Sequence, residues 1–198
     1  MSHDTLPLLL LETIKVEDGK VHNLSYHQQR CDKSRQKLFG SKDTLKLSSL
    51  ITAPKEGLYR CRIVYGEELN SIEYIPYTPR EIHSLKVVSS DIEYAHKYAH
   101  RESLDALRIA HPNVDEVIIQ QEGYLTDTTL SNIAFYDGKL WVTPKKPLLQ
   151  GTMRAKLIEE GLLKTADISK DDLHKYTHVA LINAMIGFKI LNHFNIHY

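Results

Sequence analysis

The sequence predicts an α+β fold in two domains, a small N-terminal one over residues 1–80 and a larger C-terminal one over residues 81–198. Three observations lead there. Short β-rich apolar segments are joined by glycine turn signals in both halves of the chain. Other segments run without glycine or proline and then stop on one of them, as helices do. Pro76, Pro79 and a polar break up to Ile82 interrupt the pattern where a linker would fall.

Taken in order, Leu9–Val16 is apolar and β-rich, and Glu17-Asp-Gly19 marks a hairpin with Lys20–Tyr26 as the return strand. His27–Phe39 is polar and uninterrupted until Gly40, which predicts a helix with a glycine C-cap. Thr44–Ile51 reads as a second short helix stopped by Pro54 and Gly57. Leu58–Tyr65 alternates as a half-buried strand, Gly66 turns it, and Leu69–Tyr77 returns. In the second half, Ser84–Ser89 is a strand and Arg101–Ala110 a helix ended by His111-Pro-Asn113. Val117–Gln120 is a strand turned at Glu122-Gly123, and Ile133–Tyr136 and Leu140–Val142 flank the Asp137-Gly138 hairpin signal. Thr152–Glu160 is a helix closed by Gly161, Asp171–Lys175 is helical, and Val179–Asn183 is a strand. The C-terminal segment is amphipathic and fits either type.

A chain of 198 residues buries a core without staples, since this size hides roughly 70% of the unfolded surface. With 25 basic and 25 acidic residues there is no long-range field to draw it onto nucleic acid or an anionic membrane. The apolar run Leu6-Pro-Leu-Leu-Leu-Leu11 is too short for a membrane span and lacks the flanks of a signal peptide. Cys31 and Cys61 read as reduced, partly buried small hydrophobes. The expectation is a soluble cytoplasmic protein that binds neither nucleic acid nor membrane.

Chemistry concentrates at a few positions. Lys97 sits among aromatic and histidine residues, Tyr94-Ala-His-Lys-Tyr-Ala-His100, rather than among the mixed charges of a solvated face. Burial there would lower its pKa and make it a nucleophile able to form a Schiff base. Asp127 follows the turn at Gly123 among three threonines; it reads as a turn cap, or as a carboxylate set against a heteroaromatic nitrogen. Asn132 could hold that carboxylate in place. Gly151-Thr152-Met153-Arg154 opens a helix after an irregular Pro-Leu-Leu-Gln stretch, a position suited to an anion. Arg30 could add a charged fork to a phosphate. An amine, a carboxylate and a phosphate seat together are what a protein supplies to pyridoxal 5'-phosphate. His96 and His100, and His193 and His197, have i, i+4 spacing, but no third ligand is evident and no metal is expected. There is no Walker loop, GxGxxG fingerprint or GxSxG elbow.

In this order the residues resemble the class IV (fold type IV) pyridoxal-phosphate enzymes, which include branched-chain and D-amino-acid aminotransferases and aminodeoxychorismate lyase. Lys97-Tyr-Ala-His-Arg101 is similar to the family's lysine segment, with histidine where asparagine is usual. Gly123-Tyr-Leu-Thr-Asp127 with Asn132-Ile-Ala-Phe135 is similar to the segment whose glutamate meets the pyridine nitrogen, with aspartate in its place. Thr143-Pro144 and Leu149-Gln-Gly-Thr-Met-Arg154 resemble the phosphate loop. Upstream, Leu11-Glu-Thr-Ile14 and His27-Gln-Gln-Arg30 resemble the family's Glu-Thr strand and its His-x-x-Arg.

The resemblance implies a D-amino-acid aminotransferase-like fold with a shortened N-terminal domain, since the Asp-Arg-Gly segment that usually precedes the Glu-Thr strand is not seen. It also implies a homodimer acting on a small amino substrate. Lys97 would be catalytic, with Arg30, Asp127, Asn132, Gly151, Thr152 and Met153 around the cofactor. Leu148-Leu-Gln-Gly-Thr-Met-Arg-Ala-Lys-Leu-Ile-Glu-Glu-Gly161, Asp172-Leu173 and Asn183-Ala-Met-Ile-Gly187 are most similar to lyase domains that make 4-aminobenzoate and pyruvate for folate synthesis. Asn183 and Ala184 would then help bind the substrate carboxylate. The alternatives are a branched-chain or D-amino-acid aminotransferase and a non-catalytic relative that still binds the cofactor.

Overall fold

The computed structural model describes residues 7–198. Leu6, the first residue of the N-terminal apolar run, lies outside them. By contacts the chain forms two compact units, the first holding the described residues up to Tyr77 plus His96–Arg101, the second Thr78–Ala95 and Glu102–Tyr198. The linear reading places its boundary at 80/81. The contact boundary follows Tyr77 and returns the short piece carrying Lys97 to the first unit.

In the first unit, β1 (Leu10–Glu17), β2 (Lys20–Val21), β3 (Leu58–Tyr65) and β4 (Leu69–Pro76) form an antiparallel sheet in the order β2-β1-β3-β4. The helices are α1 (Leu24–Phe39) and the single turn α2 (Leu47–Leu50). Leu10, Ile14 and Val16 alternate with more exposed neighbours and pack with Cys61, Ile63 and Tyr65 against Cys31 of α1 and Leu47 of α2. This is the one-sided burial that period-two patterning specifies. Asp18 (φ 47°) and Gly19 (φ 78°) make the expected hairpin turn. The return strand is two residues long because Asn23 turns left-handed (φ 53°), and the chain enters α1 at Leu24, three positions before the expected start. Gly40 (φ 69°) closes that helix, its N–H bonding Gln36 O at 3.1 Å. Both cysteines are buried and free.

The second unit runs β5 (Ser84–Ser89), α3 (Glu102–Ile109), β6 (Glu116–Gln121), β7 (Tyr124–Thr128), β8 (Asn132–Tyr136), β9 (Trp141–Pro144) and α4 (Thr152–Glu159). It continues through β10 (Leu163–Ala166), a 3₁₀ helix (Lys170–Lys175), β11 (His178–Asn183), β12 (Gly187–Ile190) and β13 (Asn195–His197). Two sheets result, β10-β9-β8-β11-β12 and β13-β5-β6-β7. Leu85, Val87, Ile118 and Leu125 of one sheet share a core with Ile133, Phe135, Val142, Val179 and Leu181 of the other. Ala134 and Ile182 turn to the opposite face and meet Leu157 of α4. β8 and β11 are thus buried on both faces, which explains their continuous apolar runs. The ambiguous C-terminal segment is strand: β12 pairs with β11, and β13 runs parallel to β5. No helix among the described residues is long and apolar enough to cross a membrane.

Candidate active site

Lys97 is placed by backbone pairing with β1. β2 covers only Val16 and Glu17, leaving the opposite end of the β1 edge open. The chain around Lys97 takes that edge: Leu11 N–H donates to Lys97 O at 2.8 Å and Ala99 N–H to Leu9 O at 2.9 Å, with Tyr98 bridging Leu10. By area the lysine is half-buried, yet protein atoms crowd its amine. That burial, reinforced by the Arg30 charge and opposed by Glu12, brings the ammonium down to about 7. Among the described residues its Nζ has no hydrogen bond or ion pair. An amine in this state is a nucleophile near neutral pH.

Beside it lies a cluster whose parts were visible in the sequence and whose assembly was not. Glu12 occupies an inward position of β1 and is completely buried. Arg30 donates to it through Nε (2.8 Å) and Nη2 (2.5 Å), and His27 Nδ1 lies 2.5 Å from the same Oε2. Burial pushes the Glu12 carboxyl up, but the Arg30 charge and the His27 bond outweigh it and hold it at about 2. Burial keeps His27 below its usual range despite Glu12. The i, i+3 spacing of His27 and Arg30 on α1 signals a shared face. A glutamate in phase with Leu10, Ile14 and Val16 is the signal for the third member.

In the second unit, Asp127 is the penultimate residue of β7 and Asn132 begins β8. The connection is folded by Thr128, whose Oγ1 accepts the Ser131 N–H at 3.0 Å. Asn132 Nδ2 donates to Asp127 Oδ1 at 2.7 Å and to Leu149 O at 2.9 Å, and Leu149 N–H returns to Asp127 Oδ2 at 2.9 Å. These bonds close a ring around the carboxylate. Burial raises the Asp127 carboxyl to about 6 against the Leu149 and Asn132 hydrogen bonds, and the Arg154 charge acts with them. Arg154 itself is anchored on Gln150 Oε1 and Pro144 O. Asp127 forms no salt bridge among the described residues.

Gly151 caps α4 with extended backbone (φ −68°, ψ 142°), so φ does not demand glycine here; space does. A Cβ at this position would lie 2.0 Å from Asn132 Oδ1. Gly151, the first of the phosphate-loop candidates, is therefore packed directly against Asn132 of that ring. The first turn of α4 contains no acidic residue. Asn183 ends β11: its Oδ1 accepts the N–H groups of Met185 (2.9 Å) and Ile186 (3.0 Å), and its Nδ2 reaches Ser131 Oγ at 2.9 Å. Ala184 sits in the turn so held. Arg30 and Lys97 thus belong to the first unit and the other candidates to the second.

Neither i, i+4 histidine pair lies on a helix. His96 and His100 are in irregular chain, His193 has φ 53°, and His197 is in β13, so the spacing has no helical meaning. Among the described residues no cluster of three or more His, Cys, Asp or Glu is arranged to hold a metal.

These groups fit pyridoxal 5'-phosphate on two observations. The amine is desolvated and unpaired, ready to condense with an aldehyde. A buried carboxylate that forms no salt bridge among the described residues has spare lone pairs for a protonated ring nitrogen. The fold is that of a pyridoxal-phosphate enzyme of fold type IV. Residues 9–190 match the amino-transferase class IV family, and the chain belongs to it. An uncharacterized protein of Haemophilus influenzae is 37% identical over 185 residues, 90% of this chain and 98% of that one. A crystal structure of a candidate 4-amino-4-deoxychorismate lyase from Haemophilus somnus 129PT is 36% identical, with a TM-score of 0.85 over 92% of this chain and 99% of that one. A hypothetical aminotransferase of Mycobacterium tuberculosis, solved with α-ketoglutarate and PMP, shares the fold (TM-score 0.77, 17% identity, 97% of this chain and 83% of that one).

Proposed function

We propose that this chain is a 4-amino-4-deoxychorismate lyase, which splits its substrate into 4-aminobenzoate and pyruvate. The desolvated, unpaired amine of Lys97 carries the chemical part of that reading. The likeness to the Haemophilus somnus chain favours the lyase among the reactions of the family.

When bound, pyridoxal 5'-phosphate supplies an aldehyde to take up an amine and a ring that draws electrons from the bond being broken. Lys97 would hold the cofactor through its amine. Its free amine would take the proton from the substrate carbon that bears the amino group. With its proton affinity set near neutrality, it accepts that proton at pH 7 and can return one to the departing enolpyruvyl group, which leaves as pyruvate. Asp127, oriented by Asn132 and Leu149, would hold the ring nitrogen protonated. Arg30 would offer its guanidinium to the phosphate, and the start of α4, from Gly151 through Thr152 and Met153, would offer it backbone N–H groups. Asn183 and the turn at Ala184 receive the substrate carboxylate. The enzyme works as a cytoplasmic homodimer supplying 4-aminobenzoate for folate synthesis.

The test is direct. Purified protein with added cofactor is expected to be yellow, and the visible band to vanish with borohydride and in Lys97→Ala. Fluorescent 4-aminobenzoate is expected from substrate made by a synthase. Bleaching of the band by L- or D-amino acids without a keto acid, with no 4-aminobenzoate formed, assigns transamination instead.

A further inference from the structure

The row of inward positions on β1 is Leu10, Glu12, Ile14 and Val16, each completely buried. A carboxylate in such a row loses its hydration, and only close pairing offsets that loss. The pairing here is a fork: Arg30 Nε meets Oε1 at 2.8 Å and Nη2 meets Oε2 at 2.5 Å. A bidentate contact fixes the plane of the guanidinium as well as its position. It uses two of the five guanidinium N–H donors, so the direction of the other three follows from Glu12. His27 braces the carboxylate from the same helix at 2.5 Å. The preceding residue, Leu11, hydrogen-bonds the Lys97 carbonyl at 2.8 Å, so the strand that carries Glu12 also seats the amine.

We propose that Glu12 is a positioning residue for the cofactor phosphate: its carboxylate sets the direction from which the Arg30 guanidinium meets that phosphate, beside the Lys97 amine. This rests on the reading of the chain as a pyridoxal-phosphate enzyme. Glu12 itself touches neither phosphate nor substrate. Its carboxyl lies near 2, so it remains an anion throughout the working pH range and the orientation does not titrate away. It also supplies a negative charge that acts on Lys97, against Arg30, Arg101 and Arg60.

Two aldehydes separate a positioning role from a merely structural one. Apo-protein is titrated with pyridoxal 5'-phosphate and with pyridoxal, which lacks the phosphate, and adduct formation is followed by visible absorbance. Borohydride trapping and mass spectrometry locate the adduct on Lys97. Wild type is expected to prefer the phosphorylated aldehyde strongly. In Glu12→Gln, affinity for pyridoxal 5'-phosphate is expected to fall about tenfold or more, while that for pyridoxal changes less than about threefold. Circular dichroism checks the fold. Glu12→Asp keeps the charge but is too short for the same fork, and is expected to lose the same preference if the glutamine variant does not fold. A folded variant that keeps the wild-type preference, or one that weakens both aldehydes equally, overturns the proposal. Wild type that takes up neither aldehyde overturns the functional reading itself, and the proposal with it.

Discussion

Asn132 and Asp127 face each other across the turn between β7 and β8, with Asn132 Nδ2 donating to Asp127 Oδ1 at 2.7 Å. The aspartate stands where the family pattern has glutamate, and its surroundings suit the shorter side chain. Both carboxylate oxygens already have a fixed partner, in Asn132 and Leu149. Asp127→Glu is therefore expected to impair the protein although it restores the family residue. The extra methylene has to enter a buried ring of hydrogen bonds, at a cost of about 1–3 kcal/mol. Thermal denaturation with and without cofactor checks this, and a variant as stable and active as wild type refutes it.

Gly151 is held to glycine by that same asparagine. Gly151→Ala would bring a Cβ to 2.0 Å from Asn132 Oδ1, so either the asparagine or the start of α4 must move. The expected outcome is a loss of about 2 kcal/mol, from strain together with the weakened Asp127 and Leu149 bonds. Cofactor affinity falls with it. Urea unfolding and cofactor titration measure the two effects, and an unchanged midpoint would show that the asparagine has room to retreat.

The amine of Lys97 is expected to titrate near 7, far below an ordinary lysine. Modification of the apo-protein at Lys97 by an amine-reactive aldehyde should rise with pH and level off above about 8. Borohydride trapping followed by peptide mapping reads this site by site; a midpoint near 10 sinks the assignment. Stability carries the opposite face of the same shift. Between the folded value of about 7 and the ordinary 10.5, the unfolded chain binds the extra proton. The penalty on folding is thus fully present below pH 7 and is relieved as pH rises towards 10.5. Lys97→Met should flatten that part of the apo-protein's stability profile.

Asn183 holds its turn through the N–H groups of Met185 and Ile186. Asn183→Ala is expected to loosen the loop proposed to receive the substrate carboxylate. KM should rise about tenfold, kcat should change less, and cofactor affinity should stay near wild type. Steady-state kinetics with a parallel cofactor titration separates these, and an equal fall in cofactor affinity would place Asn183 elsewhere in the machinery.

The sequence by itself determined the local structure and the chemical inventory. Asp18-Gly19 and Glu122-Gly123 turn as their positive φ values require, Gly40 caps α1, and β3 and β5 have their expected bounds. Lys97, Asp127 and Gly151 stood out because their residue types and order match a cofactor's needs. β10 escaped notice, for a four-residue strand with one fully buried side chain leaves almost no pattern. The early start of α1 escaped too, because a left-handed Asn23 is one of two conformations that asparagine tolerates in a turn.

Only the tertiary structure decided what surrounds those groups. Glu12 becomes a buried anchor because α1 delivers His27 and Arg30 onto the inward face of β1, a fact about packing that no local pattern contains. Lys97 joins the first unit because the short β2 leaves an unpaired strand edge, and backbone groups without partners recruit a distant segment. Asp127 is raised by desolvation and restrained by Leu149, from a separate loop. Residue type and spacing fix which groups are available; burial and long-range pairing fix their charge, direction and reactivity, because those depend on neighbours that only folding supplies.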